Sequence, residues 1–173
     1  QYLAGEQHGL WRAWYPNGAR RGQGQYLLDA PQGVFHEYHP SGNLWQKYAY
    51  DSEGYLHGPW LMWTDDGAVS EMGAYYHGEP DGPWWIWHDN AQMIESMVFD
   101  KGDEIGLFTE WDEHGAMVAE GNWDAGRPID TWRCFEDGKE IIIPTPKGHR
   151  LIPSIQCAKA LGWPLPTQED DHH

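Results

Sequence analysis

Residues 58–87 read GPWLMWTDDGAVSEMGAYYHGEPDGPWWIW, which is one complete structural unit followed by the start of the next. The unit opens with glycine, any residue, an aromatic, two residues and a second aromatic, and the same pattern returns at Gly82. The first aromatics of successive copies are 24 or 25 residues apart, at Trp11, Phe35, Trp60, Trp84, Phe108 and Trp132. A fixed period of this length predicts a repeat architecture.

Other columns of the sequence keep the same register. The turn residue lies seven positions after the first aromatic, at Gly18, Gly42, Gly67, Ala91 and Gly115. An aromatic of a second strand follows, at Tyr26, Tyr50, Tyr75, Phe99 and Trp123. Each unit therefore reads as two short aromatic-rich strands and a turn. Glycines at 24, 73 and 121 leave bare backbone on which a large ring from a neighbouring strand can lie.

The sequence predicts an all-β protein: an elongated, single-layer antiparallel sheet of consecutive β-hairpins. The array covers residues 1–138 in five to six repeats of about 24 residues. We expect a C-terminal cap over 139–165, containing one small helix over 155–161, and a flexible acidic tail over 166–173.

These motifs resemble MORN repeats, and in particular the bacterial variant in which Gly-x-Trp-x-x-Tyr/Trp is followed by Gly-x-Tyr and a closing glycine. The resemblance implies the hairpin array and a role as an interaction scaffold, without shared catalytic residues. Bacterial members are often labelled as the antitoxin component of a toxin–antitoxin pair. The chain departs from the pattern at Ala91, at Tyr48 and Met97 in the strand glycine column, and at Thr131 in place of the sixth leading glycine.

Composition narrows the function classes. The net charge is -16, from 11 basic and 27 acidic residues, which excludes a general nucleic-acid binder and favours a protein partner of basic or mixed charge. The 12 Trp and 9 Tyr supply the apolar area that the aliphatic residues do not. No apolar run reaches the length of a membrane span, so we expect no membrane insertion.

Motifs for catalysis and cofactors are missing from the sequence. There is no phosphate-binding glycine loop, no CxxC and no HExxH, so we expect no cofactor. His8 and His57 share a column with Asp81, which is typical of solvated turn residues; a metal site is the alternative. The carboxylates that flank Trp111, namely Glu110, Asp112 and Glu113, could suggest the acid pair of a glycosidase, but other repeats carry equivalent acids. We therefore predict neither a metal site nor an enzyme.

The second aromatic of each copy provides the candidate binding residues. It follows the first by three positions, so strand alternation places the two rows on opposite faces unless a bulge intervenes. We assign the first row to packing and the second to an exposed groove. The predicted partner-binding residues are Trp14, Tyr38, Trp63, Trp85, Trp87 and Trp111. The alternative is that both rows are structural.

The predicted function is a non-enzymatic scaffold that binds a protein through an aromatic, acidic-rimmed face, as in an antitoxin or immunity protein. A module that binds glycans or a choline-like quaternary amine is the alternative, because exposed Trp rings stack on sugars and cage cations. The choline-binding repeat is a second resemblance, but its unit is shorter.

Two cysteines, Cys134 and Cys157, complete the sequence signals. One disulfide between them would staple the cap to the array; two unpaired thiols are the alternative. Because the chain starts at Gln1 without Met, we expect either a processed mature protein or a trimmed piece of a longer chain, and a periplasmic or secreted protein rather than a cytoplasmic one.

Overall fold

The protein is an antiparallel β-structure throughout its described part. A computed structural model describes residues 2–3, 5–144 and 157, with side chains from residue 5 onward. Within these residues every element is a strand. The strands are β1 (Tyr2–Leu3), β2 (Glu6–Gln7), β3 (Gly9–Trp14), β4 (Arg20–Leu27), β5 (Ala30–Tyr38), β6 (Leu44–Tyr50), β7 (Gly58–Trp63), β8 (Val69–Tyr76), β9 (Glu79–Pro80), β10 (Gly82–Trp87), β11 (Met93–Asp100), β12 (Asp103–Trp111), β13 (Met117–Asp124), β14 (Arg127–Glu136) and β15 (Lys139–Pro144).

One open sheet contains nearly all of these strands. Strands β1 and β2 pair with each other, and the other 13 form a single sheet. From β3 to β15 each strand lies beside its neighbour in the chain, except that β9 pairs only with β8 and lies off the main path. The prediction of consecutive antiparallel hairpins in one open sheet is confirmed.

The sheet continues beyond the predicted end of the array. Strand β15 pairs with β14 along its whole length, so residues 139–144, assigned above to the cap, are part of the sheet. The predicted helix over 155–161 is not shown, because apart from Cys157 it lies outside the described residues. The predicted tail over 166–173 also lies outside them.

Two kinds of turn alternate along the sheet. On one edge the first five repeats share a five-residue turn in which the first residue bonds the fifth, as Tyr15 N–H donates to Ala19 O at 2.8 Å. On the other edge, turns such as His77-Gly78 have two residues at positive φ, +49° and +87°. That geometry matches a type I′ hairpin, whose twist suits paired strands.

The sixth repeat differs from the other five at both of its ends. Asp130, not Thr131, occupies the leading glycine position, since Asp130 has the positive φ of that column, +60°. Its hairpin turn, Asp137-Gly138, is the short two-residue type. The prediction of Thr131 at the leading position is wrong by one residue, because an Asp there gives no glycine signal.

The first aromatic of every repeat lies on one face of the sheet, here called the packed face. Directly paired residues share a face, and Trp60 pairs with Gly73 just as Trp11 pairs with Gly24. Residues that pair between neighbouring hairpins also share a face, as Met62 and Gln46 do, so the packed face continues from one hairpin to the next.

Rings of the packed face lie directly on the strand glycines, as predicted. A Cβ on Gly73 would come within 2.1 Å of the Trp84 ring, and one on Gly121 within 2.1 Å of Trp132. In each case the ring belongs to the next repeat, so the glycine joins two hairpins. Where Tyr48 replaces the glycine, Trp60 stacks on the tyrosine with centroids 5.2 Å apart.

These ring contacts form the core of a one-layer sheet. Phe35 is 3% exposed and Trp84 is 5% exposed, although no second layer of described residues covers them. The most buried cluster lies at the C-terminal end, where Trp132, Cys134 and Cys157 pack together. Edge-to-face ring pairs contribute roughly 0.5–1.5 kcal/mol each beyond the area they bury, so the aromatics stabilise the array repeat by repeat.

Candidate functional site: the open face of the sheet

The face opposite the packed face, here called the open face, carries the second aromatic of each repeat. Trp63 follows Trp60 by three residues on an uninterrupted strand, which places it on the opposite side. A bulge does intervene, but it lies on the return strand. Met62 pairs with Glu71 and Trp63 with Val69, so the extra residue, Ser70, belongs to β8. The alternation along β7 is therefore intact, and the two rows lie on opposite faces.

The same bulge recurs in each of the first five repeats. Register shifts of this kind precede Trp14, Tyr38, Trp63, Trp87 and Trp111. The sixth hairpin has no bulge, and Phe135 pairs with Glu140 on the open face. There the Arg133 guanidinium lies 5.1 Å from the Phe135 ring centre.

The structure brings all six sequence-predicted binding residues onto the open face. Trp85 lies there as well, because it pairs with Met72 and precedes Trp87 by two residues. Trp14 is 56% exposed, and the other five rings are half-buried. In the described part of the chain none of the six touches another aromatic ring, whereas packed-face rings contact each other along the sheet. Equivalent rings two strands apart are separated by about 10 Å.

A second exposed row lies on the same face, and sequence reasoning missed it. It is formed by the residue between the leading glycine and the first aromatic of each repeat. Leu10 is 54% exposed, Val34 49% and Leu107 53%. Exposed apolar side chains aligned on one surface mark interaction sites more often than isolated ones do. The signal in the sequence was present but weak, since Pro59 and Pro83 interrupt the aliphatic pattern.

Acidic side chains rim the sheet at its turns. On the five-residue-turn edge they include Asp65, Asp66 and Glu113, and on the other edge Glu53 and Glu79. All five are exposed. Arg133 lies inside this rim and is held by Glu120 and Glu140, each at 2.7 Å. A basic or mixed-charge partner would meet favourable potential at both edges.

Hydrogen bonds between successive turns hold the five-residue-turn edge in register. Asn17 Nδ2 donates to Pro40 O at 2.9 Å, and Asn90 Nδ2 donates to Glu113 O at 2.8 Å. Tyr15 OH donates to Tyr38 O at 2.8 Å. The Asn17 and Tyr15 bonds link the first repeat to the second, and the Asn90 bond links the fourth turn to the fifth.

A pair of carboxyl groups faces each other on the packed face. Glu95 pairs directly with Glu110 across β11 and β12. Burial, with the charge of Glu95 as a second cause, raises the pKa of Glu110 to about 7, and burial also raises the pKa of Glu95. Like charges directly opposite each other destabilise a sheet. Glu37, the equivalent of Glu110 in the second repeat, instead accepts hydrogen bonds from Gln46 and Tyr48, each at 2.8 Å.

The carboxylates considered for a glycosidase do not meet at one site. Glu110 points to the packed face and Trp111 to the open face. Asp112 belongs to the turn, where its Oδ1 accepts backbone N–H bonds from His114 and Ala116, each at 2.9 Å. Those bonds lower the pKa of Asp112, the one from Ala116 most. Asp112 therefore acts as a turn-forming residue.

Of the two histidines considered for a metal, His57 lies near Asp51 and not near Asp81, together with His77, which the sequence did not single out. His57 Nδ1 lies 4.0 Å from Asp51 Oδ2, and His77 Nδ1 lies 3.2 Å from the same oxygen. Among residues 5–144 and 157, no group of three or more His, Cys, Asp or Glu side chains could hold a metal ion. Over the same residues, no helix is long and apolar enough to cross a membrane.

Cys134 and Cys157 form a disulfide, with their Cα atoms 5.6 Å apart. Cys134 lies on the packed face, because it pairs with Ala119 and follows Trp132 by two residues. The bond therefore fixes Cys157 to the packed face and leaves the open face free of this link.

Comparison with known proteins identifies the type of repeat but gives no information on a binding partner. Residues 7–27 match the family described as MORN repeat variant, which supports a MORN-repeat protein. Repeats of this family are generally non-enzymatic. No curated protein matches the chain. A crystal structure of a protein with unknown function from Bacteroides fragilis NCTC 9343 shares 10% identity at a TM-score of 0.18, over 80% of this chain and 94% of that one. A likeness this low carries no argument about fold or function.

Proposed function

We propose that the protein is a non-enzymatic scaffold that binds a protein partner through the open face. The observation that carries the proposal is the contrast between the two faces. First-row rings contact strand glycines or one another, and four of the six are buried, whereas among the described residues no second-row ring contacts another aromatic ring and none is buried. Trp and Tyr dominate the energetics of protein interfaces, and rigid rings lose little entropy on binding.

The partner in this proposal has a basic or mixed-charge surface. The net charge of -16 and the acidic turns at both edges would speed its association and make binding sensitive to salt. An antitoxin or immunity role is one form that such a scaffold could take, with a toxin as the partner. That form rests on the family resemblance alone.

The test is the effect of the second row on a purified complex. A partner captured at low salt is identified by mass spectrometry, purified, and titrated against the wild type and against a Trp14→Ser/Trp87→Ser variant. We expect the double substitution to weaken binding about 10-fold or more, since interface Trp residues often contribute 2 kcal/mol or more. Tyr55→Ser is the matched control, because Tyr55 is an exposed aromatic outside the row. Equal binding by the row variant, or capture of no partner at any salt, would refute the proposal.

A glycan-binding or quaternary-amine-binding module is a second candidate, because separate Trp rings that are exposed or half-buried are also suited to stacking on sugars and to cation–π contacts. Titration of tryptophan fluorescence with oligosaccharides and with choline distinguishes it. A saturable change that Trp14→Ser/Trp87→Ser abolishes would favour this candidate over the protein scaffold.

A further inference from the structure

A cavity of about 350 Å³ opens where the second and third five-residue turns meet. One residue of the second aromatic row, Trp63, is part of its wall. Its lining consists of Asn43, Leu44, Trp63, Asp65, Asp66 and Gly67. The volume is at the lower end of the range for ligand pockets, so it suits one side chain or a small cation.

The lining combines an aromatic surface with two negative charges and no basic residue. Trp63 and Leu44 supply the apolar contact, and Asp65 and Asp66 supply the charge. Among the five turns of this type, this is the one with adjacent aspartates. At the first of the two positions the other turns carry Pro16, Pro40, Asp89 and Glu113, and at the second they carry Asn17, Ser41, Asn90 and His114.

Hydrogen bonds hold both carboxylates in place without neutralising them. Asp65 accepts a bond from Ser41 Oγ, and its backbone carbonyl accepts one from Asn43 Nδ2 at 2.8 Å. Thr64 Oγ donates to Asp66, and this bond, helped by a backbone N–H bond from Ala68, lowers the pKa of Asp66. Both carboxylates are thus oriented hydrogen-bond acceptors.

We propose that this cavity binds the guanidinium group of an arginine side chain on the protein partner. A guanidinium is planar, so it can stack on the Trp63 ring while its N–H groups bond to the aspartates. An ammonium is more strongly hydrated and lacks the planar fork, and a quaternary amine has no N–H to donate to a carboxylate. The presence of two oriented acceptors beside the ring therefore favours arginine over lysine or choline. This inference rests on the proposed function, because it names the side chain that the scaffold would recognise.

The experiment follows the indole N–H resonance of Trp63 in the full chain by heteronuclear NMR, assigned with Trp63→Phe. The probes are N-acetyl-arginine-N-methylamide, its lysine analogue, and choline. We expect a saturable shift with the arginine probe, at least about 5-fold weaker binding of the lysine probe, and an Asp65→Asn/Asp66→Asn variant that binds the arginine probe about 10-fold more weakly. Asn is native at the position of Asp66 in two other turns, where its Oδ1 accepts the same backbone N–H bond, so this variant keeps the turn.

Asp89→Asn is the matched control, because Asp89 holds the position of Asp65 in the next turn, beside Trp87. We expect it to bind the arginine probe as the wild type does. No shift at saturating probe would overturn the inference, and so would choline binding that equals the arginine probe and survives Asp65→Asn/Asp66→Asn. Failure here is distinguishable from failure of the scaffold proposal, which is decided by the effect of Trp14→Ser/Trp87→Ser on the purified partner.

Discussion

Replacing Glu110 with glutamine should stabilise the protein at alkaline pH and have little effect under acid conditions. In the folded sheet Glu110 directly faces Glu95, and its pKa is raised from 4.5 to about 7, mainly by burial and secondly by the charge of Glu95. In the unfolded chain the carboxyl returns to its ordinary pKa. Between about pH 4.5 and pH 7 the folded state therefore holds more protons than the unfolded state, so the free energy of unfolding falls as pH rises through this window.

The size of the effect follows from the raised pKa of Glu110. Each tenfold change in the ionisation constant corresponds to about 1.4 kcal/mol, so ionising Glu110 costs the folded state up to about 3 kcal/mol above pH 7. Glu110→Gln removes that cost, and it also removes the repulsion that Glu95 experiences. Because the two carboxyls titrate as a coupled pair, we expect a net gain of about 2–3 kcal/mol near pH 8.5 and a gain close to zero near pH 4.

Urea unfolding, followed by tryptophan fluorescence at a series of pH values, measures this gain. Glu37→Gln is the matched control, since Glu37 occupies the same column but accepts bonds from Gln46 and Tyr48 instead of facing an acid. The reasoning fails if Glu110→Gln gives the same gain near pH 4 as near pH 8.5. It also fails if Glu37→Gln reproduces the whole pH-dependent gain.

Two further substitutions test what holds the array together. Gly73→Ala should destabilise the protein by about 2–3 kcal/mol, because the new Cβ would lie 2.1 Å from the Trp84 ring. Gly22→Ala should cost less, since the closest approach of its Cβ to a ring is 2.9 Å. Equal thermal midpoints for the two variants would contradict the role given to the ring contacts. Cys157→Ser should lower the free energy of unfolding by about 3 kcal/mol, which is the chain-entropy value for a link across 23 residues. Adding reductant should remove the difference in stability between the wild type and the variant. A difference that survives reduction would point to lost packing around Cys134 instead.

The sequence predicts the hairpin array well because its determinants are local and repeated. A turn residue seven positions after each first aromatic recurs in five repeats, and glycines such as Gly73 show where a ring must cross the backbone. Even Ala91, the departure in the turn column, adopts the positive φ of that column, +64°. Here the pattern of the repeat outweighs the preference of the single residue.

The parts of the structure that sequence reasoning missed depend on pairings between distant residues. The opposition of Glu95 and Glu110 joins two repeats, and the 24-residue period gives no indication that both positions carry an acid on the same face. The position of the bulge is equally hidden. A bulge on the first strand of the hairpin would have turned the Trp63 side chain to the packed face. The bulge lies instead on the second strand, at Ser70. The cavity beside Trp63 needs the second and third turns to meet, which only the assembled sheet shows.

The two faces of the sheet differ in how freely their residues can vary, and this difference bears on binding specificity. Packed-face positions are constrained by their contacts with the next repeat, so changing them alters stability first. Open-face positions take no part in those ring contacts, and the residue after the first aromatic varies widely from repeat to repeat: Arg12, His36, Leu61, Trp85, Thr109 and Arg133. Thr109 is buried and Arg133 is held by two glutamates, so the variation is freest at the other four positions. Because the backbone beneath them is nearly the same, these differences change the chemistry of the surface without changing the fold. In the proposed scaffold, selectivity would be set by which repeat a partner side chain meets, and the paired aspartates beside Trp63 would make the third repeat the most distinctive of the described positions for a cation.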